Sequence, residues 1–132
     1  AIMAQRLIRV LCPNCKQPDE NPDAKVLRLV NISSEEVAAG NIQRPVGCTK
    51  CNGSGFKGRQ AIFELMVMNS EIRELAFERA SISAIRRAAI RGGMRSLLGD
   101  GKVKILRGVT TPAEVARFAQ IEGFDPTEIG AD

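Results

Sequence analysis

A chain of 132 residues, 44% hydrophobic and 26% charged, has the size and balance of one ordinary soluble domain or of a small core with an appended module. With five Phe and no Trp, Tyr or His, its core must be built from Leu, Ile, Val, Met and Ala, and the commonest general base and any Ser-His or Cys-His nucleophile are excluded. The formal charge of +4 is spread over nineteen basic and fifteen acidic residues, too thin for a nucleic-acid footprint, and no run of about 18 apolar residues is present to cross a membrane.

The first stretch, AIMAQRLIRVL, is too basic and its apolar run too short for a secretory signal. It begins on Ala and reads as a cut inside a longer protein, which leaves much of the function upstream. Ile2, Met3, Leu7, Val10 and Leu11 fall near one helical face, with Gln5, Arg6 and Arg9 off it, and this predicts the end of a helix over 2–11 that Pro13 bars from continuing. KQPDENP, residues 16–22, is a loop by composition. Ser33 and Glu36 form a capping box and predict a short helix over 34–39, ended by Gly40.

The period then changes. Gln60, Ile62, Glu64, Met66 and Met68 alternate with Ala61, Phe63, Leu65 and Val67, which predicts a β-strand with one wholly apolar face. After Asn69-Ser70 the pattern is helical: Ile72, Leu75 and Ala76 make one stripe, and Ile82, Ile85, Ala89 and Ile90 make another, stopped by Gly92-Gly93. The longest basic cluster, Arg86-Arg87 followed by Arg91 and Arg95, has a spacing that could present a basic stripe to nucleic acid or to an acidic protein partner, but it reads first as a solvated helix face. Met94, Leu97, Leu98, Ile105 and Leu106 predict a third helix, weakened by Gly99 and Gly101 at about 1 kcal/mol each relative to Ala. Thr111, Pro112 and Glu114 supply the N-cap, the N1 proline and the capping-box acid of a last helix through about Gln120, and IEGFDPTEIGAD reads as a frayed tail.

All four cysteines fall in two pairs of equal spacing, Cys12-Pro13-Asn14-Cys15 and Cys48-Thr49-Lys50-Cys51. Two intervening residues let one tight turn aim both sulfurs at a point, and two facing turns give a tetrahedral four-sulfur site in which Cys12, Cys15, Cys48 and Cys51 are the candidate ligands and zinc the expected, structural occupant. Gly53 and Gly55 can take positive φ and point backbone N–H groups at the thiolates, whose net charge around a divalent ion is about −2, with Lys16, Lys50, Lys57 and Arg59 near in sequence to screen it. Iron, two disulfides, a redox C-x-x-C and four free thiols are the alternatives.

The segment CTKCNGSGFKGR contains two further patterns. Gly53, Gly55 and Gly58 spell a dinucleotide-binding G-x-G-x-x-G, but that loop must follow a strand and open a helix, whereas here it follows a cysteine knuckle and leads into a strand. Cys48, Cys51, Gly53 and Gly55 spell the repeat of DnaJ-type chaperones, which needs several copies; the first pair here continues as C-P-N-C-K-Q-P-D. There is no G-x-x-x-x-G-K-[ST], and Asp19-Glu20 and Glu35-Glu36 sit in polar surroundings that suit solvated surface rather than acid-base chemistry. The chain by itself is expected to hydrolyse nothing.

Five blocks in order, AQRLIRVLCPNCK, GCTKCNGSGFKGRQAIFEL, IREL, GMRSL and the G-x-T-T-P-A-E-V that begins at Gly108, resemble the C-terminal part of the traffic ATPases of type II secretion and type IV pilus assembly, the GspE/PilB family. The resemblance runs from about residue 4 to residue 115. It implies a parent that is a hexameric RecA-like ATPase, cytoplasmic and peripheral at the bacterial inner membrane, with the tetracysteine segment as a zinc-binding subdomain. It also implies that ATP and Mg²⁺ are bound only by an ATPase core upstream of residue 1. The partners implied are that core, the neighbouring subunits of the homo-hexamer, and the inner-membrane platform and cytoplasmic anchor proteins, with membrane contact only through them and no nucleic acid. Retraction-type relatives lack the cysteines, so their presence points to the assembly or secretion branch.

The expected fold is α+β, mainly α, divided into the helical end of an ATPase core (1–11), a tetracysteine zinc-knuckle subdomain (12–58), a short β segment with a C-terminal helical bundle (59–120) and a flexible tail (121–132). A free-standing zinc-ribbon adaptor for nucleic acid or unfolded protein is the competing reading. It would need a basic face or apolar groove around the knuckles, where Asp19, Glu20 and Asp23 are interspersed instead.

Overall fold

A computed structural model describes residues 1–121. The chain is α+β, with two small antiparallel sheets and, among the described residues, six helices: strands β1 (Ile2–Leu11), β2 (Gln17–Pro18), β3 (Gln43–Arg44) and β4 (Phe56–Met66), and helices α1 (Ala24–Leu29), α2 (Ser34–Ala39), α3 (Ser70–Phe77), α4 (Ile82–Arg91), α5 (Leu97–Leu106) and α6 (Pro112–Ile121). The tail expected over 121–132 lies, past Ile121, outside the described residues.

The N-terminal segment is a strand, which overturns the helix expected over 2–11. Its apolar residues satisfy a helical spacing locally, but β4 offers a continuous antiparallel partner from Ile2 opposite Met66 to Arg9 opposite Arg59, then, across a bulge, Leu11 opposite Phe56. Ladder hydrogen bonds and cross-strand contacts override a weak helical preference that no N-cap or neighbouring helix supports. The pairing puts Ile8 and Ile62 on the inner face, fully buried against Leu97.

Its opposite face is the one whose apolar alternation was legible in β4, and it is bare. Met3 (60% exposed), Leu7 (52%), Phe63 (43%) and Leu65 (48%) look outward. The outer edge of β4 is pinned by Asp100 near the start of α5, whose carboxylate accepts the Phe63 N–H at 2.9 Å.

The largest core cluster joins Val30, Ile32 and Ile42, from the segment between the two cysteine pairs, to Leu98, Ile105, Val115 and Ala116 of α5 and α6. A second cluster packs α3 on α4 through Ile72, Ala88 and Ala89. Ile82, grouped with the apolar stripe of α4 by spacing, is instead 82% exposed at the start of the helix.

The capping box read over α2 forms. Ser33 and Glu36 make a reciprocal capping box over α2, and Gly40 ends it by returning its N–H to the Glu36 carbonyl at 2.8 Å. Ser96 caps α5 by accepting from the Gly99 N–H at 3.0 Å, so that helix starts at Leu97 rather than at Met94. Gly101 has a packing reason. A Cβ there would lie 2.6 and 3.0 Å from the Val115 methyls, so its lack of a side chain lets α5 and α6 approach. Gly101→Ala is therefore expected to destabilise, because an overpacking cost of about 1–3 kcal/mol outweighs a helix-propensity gain of about 1 kcal/mol. A lowered midpoint in urea denaturation checks it.

Candidate metal centre

The two cysteine pairs are far apart in sequence and are brought together by the strand register. Cys12 follows the last residue of β1, Phe56 opens β4, and Leu11 lies opposite Phe56. Each knuckle therefore hangs from one end of the same two-stranded ladder. Cys12 is tied across it by its N–H to the Gly55 carbonyl at 2.9 Å. The first knuckle closes with the N–H groups of Cys15 and Lys16 both on the Cys12 carbonyl, at 3.3 and 3.0 Å. The second is a single 3-10 turn, Thr49–Cys51, ended by Asn52 at φ 56°.

The four sulfurs lie within 4.8 Å of one another. Cys12–Cys48 and Cys15–Cys51 are each 3.8 Å apart and Cys48–Cys51 is 3.7 Å. Four thiolates about 2.3 Å from a central zinc occupy a tetrahedron with edges of about 3.8 Å, so the donor set fits a four-sulfur metal in spacing as well as in chemistry. All four cysteines are free thiols, Cys12 and Cys51 buried, Cys15 and Cys48 half-buried.

Hydrogen-bond donors converge on the sulfurs. The Gly55 N–H and the Cys48 N–H both reach Cys51 Sγ at 3.2 Å, and the Gly47 N–H reaches Cys15 Sγ at 3.3 Å. The Asn14 amide donates to Cys48 Sγ at 3.3 Å. Gly55 performs the role expected of it: it sits at φ 81°, and a Cβ there would collide with Pro45. Gly53 has the expected positive φ, 78°, but spends its N–H on the Cys48 carbonyl at 2.8 Å. Lys16, expected to screen the thiolates, donates instead to the Gly108 carbonyl at 2.9 Å and so fastens the first knuckle to the α5–α6 turn.

The donors set the ionisation of the cluster. The Asn14 amide, against the opposing effect of burial, draws the Cys48 thiol down to about 6, helped by the backbone of Cys51 and Lys50. Burial pushes Cys15 up to about 11 in spite of the Gly47 N–H. Burial also raises Cys51, but the N–H groups of Cys48 and Gly55 outweigh it and leave that thiol below its ordinary value.

Spacing named the four cysteines, and they converge. It missed Asn14 and Gly47, although a polar side chain inside one knuckle and a glycine just before the other were visible signals. It also assigned Glu114 to a capping box. Thr111 does cap α6 by accepting from the Glu114 N–H at 3.2 Å, but the Glu114 carboxylate reaches back to β1, accepting the Arg9 backbone N–H at 3.1 Å and the Arg9 guanidinium at 2.9 and 2.6 Å.

With fold and centre in place, comparison decides the family. The family model described as "Type II/IV secretion system protein" matches residues 1–117. The chain belongs to that family. Among relatives of this chain, the "Type IV pilus assembly ATPase PilB" of Thermus thermophilus is 40% identical over 114 residues, covering 86% of this chain and 13% of the relative. The "Type II secretion system protein E" of Pseudomonas aeruginosa is 37% identical over 121 residues, 92% of this chain and 23% of the relative. The "Type II secretion system ATPase E" of Vibrio cholerae is 36% identical over 119 residues, 90% of this chain and 23% of the relative. The chain thus spans between 13% and 23% of the length of these three secretion and pilus proteins. None of its described helices is long and apolar enough to cross a membrane.

Proposed function

We propose that this chain is the zinc-stabilised C-terminal module of a hexameric cytoplasmic ATPase that drives type II secretion or type IV pilus assembly. In this reading Cys12, Cys15, Cys48 and Cys51 hold one structural Zn²⁺, and the module contributes packing and partner contacts rather than catalysis. The observation that carries it is the sulfur tetrahedron, four thiols of spacing 3.7–3.8 Å along the measured edges in a chain of this family. Four protein ligands leave no open position for water or substrate, so the metal supplies a tie and not a Lewis acid. ATP and Mg²⁺ belong to the rest of the parent enzyme, and the inner-membrane platform and cytoplasmic anchor proteins are its partners.

Packing on the parent enzyme is supported by the bare face of the β1–β4 sheet. Met3, Leu7, Phe63 and Leu65 lie on one face of the ladder and are exposed around Gln5, a concentration of apolar side chains of a kind that soluble domains normally cover. Leu65→Lys is accordingly expected to leave the stability of this chain within about 0.5 kcal/mol, as for an exposed position. The same change in the full-length ATPase is expected to abolish assembly, and a fully assembled Leu65→Lys hexamer on size-exclusion chromatography would refute the packing role.

The metal is tested by elemental mass spectrometry of the purified chain with thiol counts before and after chelation. About one zinc per chain, with all four thiols freed on its removal, is the expected result. Metal-free protein with oxidised cysteines would overturn it. In the full-length enzyme, Cys48→Ser is expected to disrupt assembly or coupling more than nucleotide binding, because an incomplete site loses the metal free energy that is linked to local folding.

A further inference from the structure

Each half of the centre sends one N–H across to the other. Gly47, just ahead of the second knuckle, donates its backbone N–H to Cys15 Sγ, and Asn14, inside the first knuckle, donates its side-chain amide to Cys48 Sγ, both at 3.3 Å. The cysteines aside, Asn14 is the only side chain among the described residues whose hydrogen bond to a cysteine sulfur is seen. Its target is one of the two half-buried ligands, on the side of the site that solvent reaches. The amide must present nitrogen there, because a carbonyl oxygen facing a thiolate would be repelled.

We propose that Asn14 is a positioning residue for the metal centre, holding Cys48 Sγ towards the other three sulfurs and lowering the nucleophilicity of that half-buried thiolate. The inference rests on the four-cysteine zinc reading. An N–H directed at sulfur withdraws density from the lone pair, and around a centre of net charge about −2 each donor also relieves repulsion among the thiolates. Cys51 obtains this from two backbone N–H groups, and Cys15 from one. On Cys48 the backbone of the second knuckle is joined by a replaceable side chain from the first, so the resistance of the metal to release and to electrophiles is tuned at position 14.

The test compares the zinc-loaded full chain with Asn14→Ala and with Asn14→Asp, which keeps the shape and exchanges the donor for a carboxylate. Three readouts are taken: zinc transfer to the chelator 4-(2-pyridylazo)resorcinol, the order in which the cysteines react with N-ethylmaleimide by peptide mass spectrometry, and the sulfur-to-metal charge-transfer band of the Co²⁺ form. Asn14→Ala is expected to weaken zinc binding about tenfold, and Asn14→Asp further. Cys48 should move to the front of the alkylation order and the Co²⁺ band should shift, neither of which a general loss of stability produces. Variants that keep zinc affinity within about twofold of the parent, with the alkylation order unchanged, would overturn the role of Asn14 alone. A parent chain that takes up neither zinc nor cobalt would overturn the metal reading and this inference with it.

Discussion

Removing the metal from the loaded chain is expected to loosen α5 and α6 as well as the knuckles. Val30, Ile32 and Ile42 come from the segment that the four cysteines close, yet they lie in one cluster with Leu98, Ile105, Val115 and Ala116. Once the tie is gone, the entropy of holding that segment falls on this shared packing, helped only by short ladders such as β2–β3 and by bonds such as the Asn41 N–H to the Leu106 carbonyl at 3.0 Å. The helical part retains a core of its own, so the loss should fall short of the complete unfolding of a zinc finger. A cost of about 3 kcal/mol or more, and a fall in Tm on the order of 10 °C, is expected. Hydrogen exchange resolves where it acts: amide protection near Ile105 should drop together with that near Ile42. Unchanged protection in α5 after chelation would show that the metal stabilises the knuckles alone.

The second large effect is expected at Glu114. Its side chain is 3% exposed and holds three groups together: the Arg9 backbone N–H, the Arg9 guanidinium and, at 3.1 Å, Arg117. Arg9 also stacks over Phe56 with its guanidinium carbon 4.1 Å from the ring centroid, so one carboxylate joins the start of α6, the outer edge of β1 and the first residue of β4. Both arginine side chains remain half exposed, which reduces the penalty of leaving them unpaired. Glu114→Ala is nevertheless expected to cost about 2 kcal/mol, since it strips a part-buried backbone donor of its partner and removes the charge-assisted bonds at once.

This pair gives the chain an acid limb. Burial acts to raise the Glu114 carboxyl, but Arg9 through its side chain and backbone outweighs it and holds the group below the ordinary carboxylate range. Glu36 is lowered as well, chiefly by Lys102. The unfolded chain therefore binds these protons at a higher pH than the folded one. The stabilisation is whole above about pH 4.3 and is lost as the pH falls through the depressed native values. Glu114→Gln should flatten the fall in denaturation midpoint between about pH 5 and pH 3. A slope equal to that of the parent chain would show that Glu114 does not carry it.

What the sequence by itself determined is short in range. The ends of α2, the glycine stop of α4 and the proline start of α6 formed where they were read, because a capping hydroxyl and the N–H it accepts from are three residues apart and need nothing else. The clustering of the four cysteines was equally legible, since two residues between sulfurs already define each knuckle. Tertiary structure decided the rest. Residues 2–11 have a helical apolar spacing and become a strand because β4, whose Phe56 lies opposite Leu11, supplies the ladder. Glu114, read as a local cap, is taken by Arg9, 105 positions away. The wholly apolar face of β4 is the exposed one, because burial depends on which side of the sheet the helices occupy and alternation alone is symmetric between the two sides. Local pattern specifies hydrogen bonds closed within a turn, while partners brought together by folding specify the face, the edge and the distance between the two halves of the metal centre.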